Sequence, residues 1–302
     1  GALECLCLNL RLIFVLRALG VRIFLAGPLM AGPTVIYVHG FTFGVTQSDT
    51  VSCQNKTSCS TYWSHQDNSN PVRHVGYDGR YNPTQFGSTR GVTRMLQVLN
   101  AHCRRDQGKS CRIINHSMGG IVTGYTIANY NRSNTYNIQY VSSLVSAEGG
   151  SELASIGSPI LATLNVFTLG LSNNLLNFPD AVRILRTSAA RSSYDHNRNN
   201  GVSFYHIAGN TPFPWYLHPV NWVFPGKHDS VLAMHSTCGY RDIKGFSRCG
   251  GETITTGALW WKKKRTYSAF TGHRAHPRHS KYGVNTKHTV FPNQSTYVGS
   301  SL

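Results

Sequence analysis

Acidic residues are scarce in this chain of 302 residues. There are 12 Asp and Glu against 29 Lys and Arg, which gives a formal net charge of +17. Such an excess of positive charge favours anionic partners, such as acidic lipid surfaces or polyanions, and says nothing about the fold. No basic helix or base-reading motif organises the charge, so nucleic acid is not expected as a partner. No pair of acidic residues marks a calcium site either.

Metal-binding cysteine motifs are also lacking, although the chain has 8 cysteines. No two of them have the Cys-x-x-Cys spacing that is typical of zinc sites. Six lie instead in pairs that bracket short polar loops: Cys53 with Cys59, Cys103 with Cys111, and Cys238 with Cys249. We therefore predict three local disulfides, which are typical of secreted proteins, and expect an extracellular location with no metal and no cofactor.

A long uncharged apolar run is absent too. The segment Leu3–Leu25 is strongly apolar but contains four charged residues, Glu4, Arg11, Arg17 and Arg22. A membrane-spanning helix needs about 20 apolar residues with few charges, so none is expected here. The pattern fits either an amphipathic helix or a secretory signal that ends near Ala31. We therefore separate residues 1–33 from a domain over residues 34–302.

The most informative stretch runs from Arg112 to Val122 and has the form of a strand, a tight turn and a helix. Ser117 stands in the pattern Asn-His-Ser-Met-Gly, and the glycines that follow allow a helix to approach the strand closely. This is the form of a nucleophile elbow, with Asn115 where a glycine is usual; Asn tolerates unusual backbone angles. The pattern predicts Ser117 as a nucleophile and the backbone N–H of Met118 as an oxyanion donor.

A second glycine turn follows an earlier strand. The β-branched and aromatic run over residues 34–38 predicts a buried strand, and it ends in His39-Gly40-Phe41. In hydrolases with a nucleophile elbow, the second oxyanion donor comes from a loop of this kind. Here that donor is the backbone N–H of Phe41.

Strand-like and helix-like segments alternate along the chain. Strands are predicted over 140–146, 201–208 and 260–270, and helices over 89–102 and 119–130. This alternation predicts an α/β fold with a mostly parallel central sheet and helices on both faces. Residues 157–186 are apolar and weakly periodic, and they correspond either to a helical lid over the site or to ordinary packing helices.

Four motifs together resemble lipases and esterases of the α/β-hydrolase superfamily, most of all secreted triacylglycerol lipases. They are Val38-His39-Gly40-Phe41, His116-Ser117-Met118-Gly119-Gly120, Gly149-Gly150-Ser151-Glu152-Leu153 and Lys227-His228-Asp229-Ser230-Val231. The resemblance implies an α/β-hydrolase fold and ester hydrolysis. The last motif is similar to the lipase turn that holds the catalytic acid, which implies Asp229 in that role.

The order of residues along the chain narrows the choice of acid and base. In this fold the nucleophile, the acid and the histidine follow one another in sequence. Asp229 follows a predicted strand, as an acid of this fold should, whereas its rival Asp195 precedes that strand and its rival Asp242 lies between Cys238 and Cys249.

The histidine must come from the C-terminal part of the chain. His288 opens an apolar segment after a polar loop, and His273 directly follows the predicted last strand. His276 and His279 lie in a basic stretch that is typical of a surface loop. We predict His288 as the base and retain His273 as the alternate.

These inferences predict a secreted serine hydrolase of carboxylic esters with the triad Ser117, Asp229 and His288. Its expected partner is a lipid or other ester substrate, with an anionic lipid surface as a candidate. Two other hypotheses fit the same residues. One is a non-catalytic, basic surface-binding protein on a hydrolase scaffold. The other is an acyltransferase or polyester depolymerase with the same triad.

Overall fold

A parallel β-sheet positions the candidate functional residues. The computed structural model describes residues 32–42, 47–155, 179–212, 224, 227–237, 253–256, 263–266, 270–278 and 286–298. Its strands are β1 Thr34–Val38, β2 Val72–Val75, β3 Cys111–His116, β4 Ile138–Leu144, β5 Ser203–Ile207, β6 Thr253–Thr256, β7 Lys263–Thr266 and β8 His273–Ala275. Its α-helices are α1 Gln47–Ser52, α2 Gly91–His102, α3 Gly119–Tyr130, α4 Glu152–Ser155, α5 Pro179–Leu185, α6 Thr187–Ser192, α7 Met234–Thr237 and α8 Ser295–Val298.

The main sheet has the strand order β2-β1-β3-β4-β5-β8, and all neighbouring pairs in it are parallel. β3 lies between β1 and β4, with Asn115 in register with Val38 on one side and Ser143 on the other. Because the carboxyl ends of parallel strands meet at one edge of a sheet, the loops that follow these strands converge there. The predicted α/β class with a mostly parallel central sheet is confirmed.

Apolar side chains on the strands and on two long helices form the core. Ile36 of β1, Ile113 of β3 and Val141 of β4 are fully buried, as expected for strands that are covered on both faces. Helix α2 buries Val92, Met95 and Leu99, which follow its 3.6-residue period. Helix α3 is apolar on most sides, and nine of its twelve residues are buried. Helix α2 was predicted from its apolar periodicity, and α3 was predicted as the helix that follows the turn at Ser117.

The prediction of the last strand is wrong. Within residues 260–270, β7 pairs antiparallel with β6 in a separate two-stranded sheet, and β8 is instead the last strand of the main sheet. The stretch around β7 contains the run Lys262-Lys-Lys-Arg265, and such a run is incompatible with a strand buried on both faces of a parallel sheet. β2, which carries Arg73 and His74 at the sheet's edge, was not predicted because its surroundings are polar.

The described C-terminal segment, 286–298, packs onto the body of the domain. His288–Asn293 forms a 3₁₀-helix, followed by α8, and Phe291 is fully buried. The Tyr37 hydroxyl on β1 donates a hydrogen bond to the carbonyl oxygen of Val298, at 2.8 Å, and accepts one from the backbone N–H of Asp67, also at 2.8 Å. The end of the described chain is thus tied to a central strand near its beginning.

Two of the three predicted local disulfides lie in the described part of the chain. Cys53 is joined to Cys59 across a Cα–Cα distance of 4.9 Å, and Cys103 to Cys111 across 5.3 Å. The third predicted pair, Cys238 with Cys249, lies outside the described residues. Within the described ranges, no helix combines the length and apolar character that a membrane crossing requires.

Several predictions concern residues that the structure does not describe. These are the apolar N-terminal segment up to residue 31, residues 156–178 of the segment considered as a lid, and the rival acid Asp242. The remainder of the lid segment is α5 and Arg186. Helix α5 buries Ala181, Val182, Ile184 and Leu185 and packs against α4 and α6, so this end of the segment is a packing helix.

Candidate active site

Ser117 occupies the sharp turn between β3 and α3. Its φ angle is +53°, in the left-handed region that non-glycine residues rarely adopt. Close packing of the turn forces this geometry, because a Cβ at Gly119 would collide with the carbonyl oxygen of Val38, and one at Gly120 with the Ser146 hydroxyl. The turn therefore has the strained strand-to-helix form of a nucleophile elbow.

The loop after β1 lies directly against this serine. A Cβ added to Gly40 would stand 2.6 Å from the Cβ of Ser117 and 2.9 Å from the carbonyl oxygen of His116, so only glycine permits this approach. Phe41, the next residue, is buried. On the other side of the serine, Met118 precedes the first turn of α3, where helix geometry leaves N–H groups without intrahelical partners. The two predicted oxyanion donors thus belong to segments that flank Ser117.

Asp229 follows β5 in the sequence and packs against the end of that strand. A Cβ at Gly209, two residues past β5, would lie 3.0 Å from the Cβ of Asp229. The Asp229 carboxylate is buried, and its Oδ1 accepts hydrogen bonds from the backbone N–H groups of Val231, at 3.0 Å, and Leu232, at 2.7 Å. Among the described residues, the partner of Oδ2 is the imidazole of His288.

The His288 imidazole is held at its Nδ1 by this carboxylate. The distance from Nδ1 to Asp229 Oδ2 is 2.9 Å. A carboxylate oxygen accepts, so Nδ1 carries the proton and the lone pair lies on Nε2. Nε2 is buried and has no hydrogen-bond partner among the described residues. An unpaired basic nitrogen of this kind is suited to take a proton from a nearby nucleophile.

Ser117 lies at positive φ in a turn between a central parallel strand and a helix, and the predicted triad residues Ser117, Asp229 and His288 follow one another in the order expected for a hydrolase of this architecture. The fold is that of an α/β-hydrolase.

A chain of hydrogen bonds that the sequence did not predict connects the loops around Ser117. The backbone N–H of Gly40 donates to the Tyr62 hydroxyl at 2.7 Å, and that hydroxyl lies 2.6 Å from His116 Nδ1. His116 Nε2 lies 3.0 Å from the carbonyl oxygen of His288. Because a carbonyl only accepts, Nε2 of His116 carries the proton, and Nδ1 accepts from Tyr62. The three hydrogen bonds therefore all donate in the same direction, from Gly40 through Tyr62 and His116 to His288.

Burial keeps the two side chains in this relay of hydrogen bonds, Tyr62 and His116, neutral. It lowers the pKa of His116 well below its usual value, and the neighbouring His288 lowers it further. It also raises the pKa of the Tyr62 hydroxyl above its usual value. Neutral His116 has one acceptor nitrogen, which faces the Tyr62 hydroxyl, and one donor nitrogen, which faces the carbonyl oxygen of His288. His116 is adjacent to Ser117 in sequence, but Tyr62 lies in a polar loop with no signal that could have revealed its role.

The glycine-rich motif Gly149–Leu153 supports the loop that carries the acid. The backbone N–H of Gly149 donates to the carbonyl oxygen of Ser236 at 2.9 Å, and the Ser151 hydroxyl donates to that of Val231. Glu152 is bonded to the imidazole of His235 on α7. These contacts hold three residues that follow Asp229 in the sequence, within the segment 231–236.

The structure does not bring the alternate histidine to Asp229. His273 Nδ1 lies 2.7 Å from Nε2 of His206, and its Nε2 lies 3.1 Å from the carbonyl oxygen of His196. Both of its ring nitrogens are therefore engaged elsewhere. The rival acid Asp195 is exposed and forms an ion pair with Arg198 at 3.6 Å.

Comparison with known proteins gives matches among solved structures alone. No family model matches the chain, and no curated protein matches it. A lipase of Staphylococcus hyicus is 11% identical over 88% of this chain and 90% of its own, with a TM-score of 0.46. The mature lipase BlEst2 of Bacillus licheniformis is 17% identical over 72% and 82%, with a TM-score of 0.45. Phospholipase PlaB of Legionella pneumophila is 16% identical over 89% and 57%, with a TM-score of 0.46.

Lipases and esterases are thus among the proteins to which this chain is similar. The identities and TM-scores are low, so the roles of individual residues have to be inferred from the geometry of this chain.

Proposed function

We propose that this protein is a serine hydrolase of carboxylic esters. The observation that carries the proposal is the pairing of Asp229 with His288 at 2.9 Å, which leaves the His288 Nε2 lone pair without a partner among the described residues, in a fold that holds Ser117 at a φ of +53° in the turn after β3. His74 and His196 are also buried with one ring nitrogen that has no partner among the described residues, but their other nitrogens contact an amide and a carbonyl oxygen, whereas that of His288 contacts a carboxylate. An acceptor without a donor is what a general base needs before it takes a proton.

The reaction would follow the order of acyl transfer. Ser117 Oγ attacks the ester carbonyl carbon as His288 Nε2 takes its proton, and Asp229 holds the tautomer and stabilises the resulting imidazolium. The backbone N–H groups of Phe41 and Met118 bind the oxyanion, each contributing on the order of 3 kcal/mol to the transition state. His288 then returns the proton to the leaving alcohol, and water repeats the sequence on the acyl-enzyme.

A fluorophosphonate probe tests this proposal. It should label the protein at Ser117, and Ser117→Ala should abolish labelling, whereas Ser69→Ala, which removes an exposed serine, should not. A folded but unlabelled wild-type protein would favour the non-catalytic binding hypothesis. Hydrolysis of a soluble ester to acid and alcohol in water distinguishes a hydrolase from an acyltransferase, which would transfer the acyl group to an added alcohol in preference to water.

The charge of the chain favours lipid esters at an anionic surface as substrates, and its disulfides favour a secreted location. With +17 net charge, each Lys or Arg near such a surface contributes about 1 kcal/mol of attraction. Hydrolysis of a short-chain lipid ester should therefore rise when anionic vesicles are added, and high salt should remove this gain by screening. Neutral vesicles are the control. Equal rates on neutral and anionic vesicles would contradict the charge argument and leave a general esterase.

A further inference from the structure

A second group of buried titratable side chains contains none of the proposed catalytic residues. Glu148 follows β4, His206 lies in β5 and His273 in β8. Each brings one potential ligand atom to a common point, all within 4.8 Å of one another, and all three residues are buried. They are far apart in the sequence, so no spacing motif could have predicted the cluster.

The distances between these atoms resemble those around a tetrahedral metal ion. His206 Nε2 is 2.7 Å from His273 Nδ1, and Glu148 Oε2 is 3.7 Å from the first and 3.5 Å from the second. An ion with bonds of about 2.0–2.1 Å to nitrogen and oxygen places its ligands about 3.3 Å apart. The observed distances lie on both sides of this value, so side-chain shifts of about half an ångström would complete the geometry.

The tautomer of His273 also suits a metal ligand. Its Nε2 lies 3.1 Å from the carbonyl oxygen of His196. Since the carbonyl only accepts, Nε2 carries the proton, and the lone pair of Nδ1 accepts a hydrogen bond from Nε2 of His206. When an ion binds, the proton on Nε2 of His206 has to leave or move to Nδ1 of that ring. Metal-binding histidines are typically oriented in this way, by donating the other ring N–H to a carbonyl or carboxylate.

The Glu148 carboxylate lacks the donors that such a buried group normally needs. It is fully buried, the Tyr194 hydroxyl is close to it, and neither oxygen is in hydrogen-bonding geometry with a donor of the described residues. Burial accordingly raises the pKa of Glu148 to about 8. Gly124 on α3 leaves room for the Glu148 carboxylate, because a Cβ at this position would lie 2.9 Å from Oε1.

We propose that Glu148, His206 and His273 bind one divalent transition metal ion of the zinc class. Two imidazoles and a carboxylate form a ligand set that suits zinc, whereas calcium and magnesium prefer sites made of oxygen ligands. Three protein ligands leave one tetrahedral position for a water or another group, and the ion would tie β8, which pairs with β5 over three residues, to the loop after β4. Another convergence of potential ligands, Cys53, Cys59 and His74, is not a candidate because its two sulfurs are bonded to each other.

Zinc binding by the full-length protein tests this site. Chelator-treated protein dialysed against Zn²⁺ should retain one ion per chain, and its melting temperature should rise by about 5 °C at a hundredfold excess of free zinc over Kd. Glu148→Gln preserves shape but removes the charged ligand, and should weaken zinc binding at least tenfold. Glu152→Gln is the matched control, because it removes the charge of another buried glutamate that contacts a histidine, and it should bind zinc as the wild type does.

Retention of no zinc by the wild type, or equal binding by Glu148→Gln and the wild type, would overturn the proposal and leave a hydrogen-bonded cluster. If Glu148→Gln fails to fold, X-ray absorption on the zinc-loaded wild type replaces it. Two imidazole ligands with oxygen ligands and no sulfur would support the site. Sulfur ligands, or the absence of imidazole, would overturn it.

Discussion

Asp229→Asn is the substitution with the clearest expected consequence. Oδ1 of Asp229 accepts two backbone N–H groups, from Val231 and Leu232, so the amide of an asparagine would place its oxygen there. Its NH₂ group would then face Nδ1 of His288, which must become the acceptor. The imidazole would carry its proton on Nε2 and lose the lone pair that the reaction needs.

The magnitude follows from the lost tautomer. A triad with the wrong histidine tautomer loses about 10⁴-fold in kcat, which corresponds to about 5.5 kcal/mol in the activation free energy. The fold should persist, because the side chain keeps its shape and its two backbone hydrogen bonds. Initial rates on a soluble ester, circular dichroism and the rate of fluorophosphonate labelling measure these effects together.

The control is Asp195→Asn, which changes an exposed carboxylate and should leave kcat within a few-fold of the wild type. Two results would refute the reasoning. One is an Asp229→Asn variant that keeps a tenth or more of the wild-type kcat. The other is a loss of activity that is accompanied by unfolding, because the structure predicts a change in chemistry without a change in fold.

Three further predictions concern the surroundings of the site and the core. Tyr62→Phe should cost about 1–3 kcal/mol of stability, measured by urea denaturation, because it removes the acceptor of the Gly40 N–H and the donor to His116; an unchanged midpoint would contradict the relay. Gly40→Ala should lower kcat at least about 100-fold, because its Cβ would press on Ser117 and displace the oxyanion loop; wild-type kcat would show that this loop plays no part. Burial lowers the pKa of His74 to about 3, so below pH 6.5 the unfolded chain binds a proton that the native state does not bind. As the pH is lowered from 6.5 towards 3, this group therefore reduces the free energy of unfolding by about 1.4 kcal/mol per pH unit. His74→Asn should remove that share of the slope between about pH 6 and 4, and an unchanged slope would show that His74 does not resist protonation.

The sequence was most informative where function depends on a short stretch of chain. The turn at Ser117 and the loop at Gly40 are local features, and their backbone geometry requires glycine or other small residues at fixed positions. Such requirements can be recognised in a short stretch of sequence. Asp229 and His288 followed from motif and chain order, and the structure brings the two side chains together. The roles of these residues in catalysis remain predictions for the experiments above.

Contacts between segments that are distant in the sequence could not be predicted from the sequence. Tyr62 and Glu148 acquire partners from loops and strands that are remote in the chain, and neither stands in a recognisable pattern. His273 attracted attention because it follows an apparent strand, yet that stretch carries four consecutive basic residues from Lys262 onward and pairs outside the main sheet. Periodicity and propensity describe a segment on its own, whereas burial of charge is decided by its neighbours.

The link from Tyr37 to Val298 has a consequence for the maturation of the protein. The elbow at Ser117 and the loop after β1 precede residues 286–298 by about 170 residues or more in the sequence, and His288 reaches Asp229 only when residues 286–298 have docked on the sheet. Contacts of such long sequence separation cost loop-closure entropy before they contribute to stability, and they form slowly. A chain that is clipped or stalled before this segment would hold a strained serine with no base beside it. Under the proposed function, a protein in which residues 286–298 have not docked would therefore be catalytically silent even if the rest of the sheet had folded.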